Sequence, residues 1–150
     1  MHDVVVIALA SPLLVGIYKE GALVESIVLE EKSSEALPQL FESLLKRYEI
    51  AHVVYAKGPG SFMAIKVSYI FLKTLSIVKN ITFLATDAFY FNENRPIKAV
   101  GKLYFVKIAD KIKTQRFEEA QEAAFDLPRT LRIEDFSADT SPYYGIGAVG

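Results

Sequence analysis

Three apolar runs, residues 3–10, 13–19 and 22–30, open the chain, and the connections between them are only two residues long, Ser11-Pro12 and Glu20-Gly21. Two residues can close an antiparallel hairpin but cannot carry the crossover of about a dozen residues that a parallel neighbour needs. The runs therefore form a β-meander, and any fold of this chain must contain it. The third run, Ala22-Leu23-Val24-Glu25-Ser26-Ile27-Val28-Leu29-Glu30, alternates in part, as a strand with one wetter face does. The first ends in Ala8-Leu9-Ala10, the outline of a secretory cleavage site. His2 and Asp3, not Lys or Arg, precede it, and apolar character resumes at Leu13, so a buried strand explains it better. No stretch approaches the ~20 apolar residues of a membrane span. The chain reads as cytoplasmic and free of any membrane association.

Beyond the meander the period changes. Ser33-Ser34-Glu35 offers a helix cap, and Pro38 lies near enough to the start to be tolerated. The helix should reach about Tyr48, with Leu37, Leu40, Phe41, Leu44, Leu45 and Tyr48 on one stripe and Gln39, Glu42, Ser43, Lys46 and Arg47 opposite. His52–Ala56 is a short buried strand, stopped by Gly58-Pro59-Gly60 before an apolar segment running from Phe62 to about Val78. At 100° per residue that second helix carries two apolar stripes. The broad one contains Met63, Val67, Ile70, Phe71, Ile77 and Val78; the narrow one contains Phe62, Ile65, Tyr69 and Leu72, with Lys66 and Lys73 at its boundary. A helix on one sheet needs one stripe, so the second must meet another helix of the domain or another protein. Further strands are expected at Thr82–Thr86 and 102–108, an irregular aromatic stretch at 89–92, a charged turn near Asp110-Lys111, an ambiguous run 117–125, a short strand at 130–133 and a tail from Ser137. The order is that of an α/β layered domain with a mixed sheet, and 150 residues suit one such core.

The chemistry-bearing residues are sparse. With no cysteine there is no disulfide, thiolate metal site or cysteine nucleophile, and two distant histidines, His2 and His52, make a poor metal site. A net charge of −1 gives no general field for nucleic acid. Ser61 lacks the surroundings of a G-x-S-x-G nucleophile, and the adjacent pairs Glu30-Glu31 and Glu118-Glu119 would point to opposite faces of a strand. Lys107, Lys111, Lys113 and Arg116, with only Asp110 among them, form either a solvated hairpin or a contact for a phosphate backbone. Gly58-Pro59-Gly60-Ser61 stands at a strand-to-helix junction, where backbone N–H groups can hold phosphate. It fits neither the Walker nor the dinucleotide pattern, and the local reading is a tight turn with Ser61 capping the helix.

The run Val53-Val54-Tyr55-Ala56-Lys57-Gly58-Pro59-Gly60-Ser61-Phe62-Met63-Ala64-Ile65-Lys66 resembles the strand–GPGSFTG–helix signature of the TsaB (YeaZ-like) family, and Ser34-Glu35-Ala36-Leu37-Pro38 with Leu44-Leu45 is similar to the stretch that the family places upstream. The resemblance covers about residues 4–86. It implies an RNase H-like lobe of the actin/Hsp70/sugar-kinase superfamily: an N-terminal lobe over residues 1–100 and an abbreviated second lobe over 101–150. It further implies a non-catalytic subunit of the machinery that places threonylcarbamoyl on N6 of adenosine 37 in tRNAs reading ANN codons. The partners implied are a TsaD-type catalytic subunit and a TsaE-type ATPase, or a second copy of the chain in a dimer. ATP and metal are expected in the partners, no cofactor in this chain, and tRNA is met only indirectly.

Ala10-Ser11-Pro12 stands where the family usually has Asp-Thr-Ser, so the acid that superfamily kinases use near a metal–nucleotide is absent; Met63, Ala64 and Lys66 replace Thr, Gly and Arg. The expected docking surface consists of Leu40, Leu44, Phe62, Ile65, Lys66, Tyr69, Leu72 and Lys73 on helices 34–48 and 61–79, with Gly58, Pro59, Gly60 and Ser61 as a structural loop. On that reading Tyr69→Asp should abolish co-purification with the partner and leave melting unchanged. The alternatives are a stand-alone nucleotide-binding phosphotransferase or hydrolase that uses the Gly58–Ser61 loop, and a homodimeric interaction module.

Overall fold

The computed structural model describes residues 1–31, 33–122 and 124–143, with Ser33 and Ser34 described for backbone only. The capping expected of those two serines, and the part of the tail beyond 143, therefore lie outside the described residues. Among the described residues eight strands and two α-helices follow one another as β1 (His2–Ile7), β2 (Leu13–Lys19), β3 (Ala22–Leu29), α1 (Ser33–Arg47), β4 (Ile50–Ala56), α2 (Phe62–Lys79), β5 (Thr82–Thr86), β6 (Ile97–Lys98), β7 (Leu103–Ile108) and β8 (Lys111–Arg116). The main sheet has the order β3-β2-β1-β4-β5. Its meander is antiparallel, while β1, β4 and β5 run parallel, joined through α1 and α2 as parallel neighbours require. This is the mixed α/β sheet expected of an RNase H-like lobe.

Both faces of this sheet are covered, which explains why Val4 to Leu9 is apolar at every position instead of alternating. On one face Val4, Val6, Val15, Ile17, Val53, Tyr55 and Phe83 pack against Leu37, Phe41, Leu44 and Leu72 of the helices. Each such fully buried side chain contributes about 1.5–3 kcal/mol. The other face carries Val5, Ile7, Leu9, Tyr18, Val54 and Leu84 against Phe89, Phe91, Ile97, Phe105 and Leu131. β3 serves both layers through a bulge. Ile17 pairs with Glu25 but Tyr18 with Leu23, leaving Val24 as the extra residue. The slip turns Leu23 toward the second layer, while Ile27 and Leu29 stay on the helix side.

The second layer contains the small antiparallel sheet β6-β7-β8 and the irregular segment after it. Strand pairing in that sheet crosses residue 100, since Ile97 pairs with Phe105. β8 is the far limb of the solvated hairpin that the charged residues 107–116 suggest, and it carries no strand period of its own because Ile112 is its only apolar residue. The turn that creates it is legible in hindsight: Ala109 and Asp110 take φ of 51° and 64°, the positive pair of a two-residue hairpin turn. The ambiguous run 117–125 is neither strand nor helix in its described residues. The strand expected at 130–133 reduces to one bridge at Thr130, followed by a 3₁₀ turn at Ile133–Asp135.

That bridge begins a strap. Leu23 N–H donates to the Arg129 carbonyl and Leu131 N–H to the Gly21 carbonyl at the β3 edge; seven residues later Ser137 exchanges both backbone bonds with Ala85 of β5, the opposite edge. Leu131 is buried under the strap, and the buried Tyr18 hydroxyl donates to the Pro128 carbonyl at 2.6 Å. Burial holds the Tyr18 phenol far above its ordinary value, so it remains a donor throughout the working pH range. On the helix side, α1 is tied to β3 by Glu25, which accepts from the Tyr48 hydroxyl at 2.6 Å and from Arg47 at 2.7 Å. Those bonds, Tyr48 first and Arg47 second, lower the Glu25 carboxyl below the usual range.

Leu131→Ala should accelerate amide exchange at Leu23 and Ala85 together, because one segment holds both edges; acceleration at one edge alone would show that the two contacts are independent. The depressed Glu25 carboxyl sets a sign for pH: its contribution is present above the ordinary glutamate value of about 4.3 and is lost as the pH falls through the lower folded value. The stability gap between wild type and Glu25→Gln, measured by denaturant melts, should therefore be open at neutral pH and close on acidification.

Candidate functional site

The Gly58–Ser61 loop leaves the carboxyl end of β4, where open α/β sheets most often bind ligands. Here the chain itself occupies much of that position. Lys57 N–H donates to the Thr86 carbonyl, Ser61 N–H to the Leu9 carbonyl, and Ala88 N–H to the Gly58 carbonyl. Ser61 is the N-cap of α2, and its hydroxyl accepts from Ala64 N–H at 3.4 Å. The N–H groups of Lys57, Ser61 and Ala64 are therefore engaged within the protein. The tail closes over the same loop: Tyr143 N–H donates to the Lys57 carbonyl, the Tyr55 hydroxyl to the Thr140 carbonyl at 2.5 Å, and Lys57 Nζ to the Asp139 carbonyl at 3.3 Å.

The two glycines of the motif answer to this packing. Gly58 sits at φ 119°, and a Cβ there would collide with the Tyr143 carbonyl oxygen; one on Gly60 would lie 3.0 Å from Leu9 side-chain carbons. Gly58-Pro59 is a cis peptide. Gly58, Gly60 and Ser61 thus each meet a packing or capping constraint within the protein.

Beside the loop a cavity of about 430 Å³ is lined by Leu9, Ala10, Gly60, Ser61, Ile97 and Lys98 among others, and among the described residues no carboxylate lines it. Among the described residues no three His, Asp or Glu side chains are placed to share a metal ion. His52 is half-buried and bonded through Nδ1 to Asp3 at 2.8 Å, at the opposite end of β4 from the loop.

The docking residues expected from sequence separate into two groups. Ile65 and Leu44 are fully buried and Leu72 is 1% exposed, so these three belong to the domain's own core and cannot contact a partner while it is folded. Tyr69 and Leu40 are half-buried against the same core, Tyr69 with its ring 6.2 Å from those of both Tyr55 and Phe83. Phe62, Lys66 and Lys73 are exposed. The physical reason is that periodicity gives two stripes on α2 without saying which one the sheet takes. It takes the narrow one; Tyr69→Asp would therefore unfold the domain, and the face assignment made from sequence is reversed.

The broad stripe is the exposed one. Phe71 turns sideways to Phe41 of α1, ring centroids 5.7 Å apart. Met63, Ile70, Ile77 and Val78 are left 61%, 54%, 71% and 70% exposed. Met63, Val67, Ile70, Thr74 and Ile77 follow at alternating spacings of four and three residues, the seam that a helix presents to another helix. It extends about 21 Å along the axis, bordered by Lys66 and Lys73.

No family model matches the chain, and no curated protein matches it by sequence. Solved structures do match. YeaZ from Pseudomonas aeruginosa superposes with a TM-score of 0.60 at 13% identity, over 82% of this chain and 65% of that one. An uncharacterized protein described by its similarity to peptidase YeaZ from Pseudomonas aeruginosa gives 0.54 at 14% identity, over 88% and 69%. At such identities the likeness is one of fold: this chain has the α/β fold of the YeaZ structures and spans about two thirds of their length.

Gly58→Ala should destabilise the protein by more than about 2 kcal/mol, since it adds both a strained φ and a backbone collision. Gly101→Ala, at φ 58° with nothing within 4 Å of the added carbon, serves as the control and should cost about 1 kcal/mol. Equal losses in denaturant melts would mean that the tail does not press on the loop.

Proposed function

We propose that this chain is a divergent TsaB-like subunit, non-catalytic by itself, that docks a TsaD-type catalytic subunit through the outer face of α2. The observation that carries the reading is the exposed seam Met63-Val67-Ile70-Thr74-Ile77: apolar, heptad-spaced, and on the helix that directly follows the Gly58–Phe62 motif. The apolar centre with lysines at its border has the composition of a specific interface, and four large apolar side chains more than half exposed on one helix are costly to leave in water. The likeness to the YeaZ fold and the motif resemblance support the same assignment. On this reading the transfer of threonylcarbamoyl to adenosine 37 of tRNA takes place on the partner, which holds the ATP and metal, and a TsaE-type ATPase completes the machinery. The engaged N–H groups of the loop and the absent acid at Ala10 weigh against stand-alone nucleotide chemistry.

Co-expression with a TsaD-type subunit tests the proposal. Ile70→Asp with Ile77→Asp should abolish co-purification and leave the monomer's stability within about 0.5 kcal/mol, as for other exposed positions. Leu72→Ala, a cavity in the core, should cost about 2–5 kcal/mol. Retained capture by the double variant would overturn the docking face. A dimer of this chain that the same variant dissociates, with no TsaD-type subunit captured, would transfer the seam to self-association.

A further inference from the structure

The net charge of −1 conceals a division. Residues 95–117 hold seven of the seventeen Lys+Arg but only one of the eighteen Asp+Glu, a local charge of +6 that leaves −7 on the rest. This basic stretch is the small sheet β6-β7-β8. Its register sorts the cations by face. Lys98 pairs with Tyr104 and Tyr104 with Gln115; Val106 pairs with Lys113, and Ile108 with Lys111. Ile97, Phe105 and Ile112 face the core, so Lys98, Lys111, Lys113 and Gln115 share the outer face.

The remaining cations of the stretch are largely neutralised. Lys107 is held by Asp87 at 2.5 Å, Lys102 and Arg116 share Glu118 at 2.8 Å, and Arg95 lies 3.8 Å from Glu93. Lys98, Lys111 and Lys113 are exposed and have no ion-pair or hydrogen-bond partner among the described residues.

We infer that this outer face binds the phosphodiester backbone of a nucleic acid. Lys111 and Lys113 stand at alternate positions of the exposed edge strand β8, about 6.8 Å apart, with Lys98 two strands away across the buried Tyr104 and Val106. Lysines act as point charges on phosphates and fix position without reading bases. A membrane surface calls for clusters of about four to eight cations, more than the three unpaired ones here. The inference is independent of the docking face on α2 and modifies the expectation that RNA is met only indirectly.

The test uses the full chain and fluorescently labelled oligonucleotides: single-stranded RNA, duplex RNA, single-stranded DNA and duplex DNA, titrated by anisotropy from 50 to 200 mM salt. The expected result is salt-sensitive binding of at least one of them. Lys98→Glu/Lys111→Glu/Lys113→Glu should weaken it at least tenfold and, for a single strand, reduce the salt slope by about 2. Lys19→Glu/Lys46→Glu/Arg129→Glu makes the same change in net charge elsewhere and should leave most of the binding, with circular dichroism confirming both folds. No binding of any oligonucleotide at 50 mM salt, equal losses in the two triple variants, or binding to phosphatidylserine vesicles in place of oligonucleotides would each overturn the inference.

Discussion

The architecture depends on one constraint: β1 and β4 are apolar on both faces at the centre of the sheet. A strand such as Val4-Val5-Val6-Ile7 can be stable only if each face is dry, and two helices can cover only one. The second layer answers that demand. Phe89, Phe91, Ile97, Phe105 and Leu131 come from a 3₁₀ turn, the small sheet β6-β7-β8 and the irregular segment after it, laid over the apolar surface of the main sheet. Regularity there is secondary to coverage.

This explains which parts were legible in the sequence. The meander, both helices, β4 and β5 follow from apolar period and from connection length, both local properties of the chain. In the second layer β7 and the irregular aromatic stretch at 89–92 follow in the same way, but their docking onto the sheet does not, because its contacts are long in sequence: Tyr18 reaches Pro128, and Leu23 reaches Arg129. β8 has one apolar residue, so no period exists to be read. The candidate surface failed for a different reason. The stripes on α2 were identified correctly as two, but both are apolar, and only the sheet's position decides that Ile65 and Leu72 go inside while Ile70 and Ile77 stay out. The single polar member of the inner face, Ser68, bonds back to the Ile65 carbonyl at 3.0 Å and so gives no outward signal.

The glycine loop shows how a motif that suggests chemistry can be consumed by packing. Its glycines permit the approach of Leu9 and of the tail, and its serine caps a helix. The same residues fix where α2 starts, and thereby the rotation of α2 that presents Met63, Ile70 and Ile77 to solvent. A structural loop in this position still bears on function through the face that it aims.

The strap from Arg129 to Ser137 has a further consequence for how such a chain survives at high concentration. β3 and β5 are the two open borders of the sheet, and β3 exposes Val24 and Val28 to 54% and 58%, a template on which a foreign strand could pair. The Leu23 N–H and Gly21 carbonyl beside Ala22, and both backbone groups of Ala85, are already taken by the strap. Because one segment guards both borders, losing its hold would uncover two sticky edges in the same event, one on each side of the molecule, which is the valence needed for chain-like growth of aggregates.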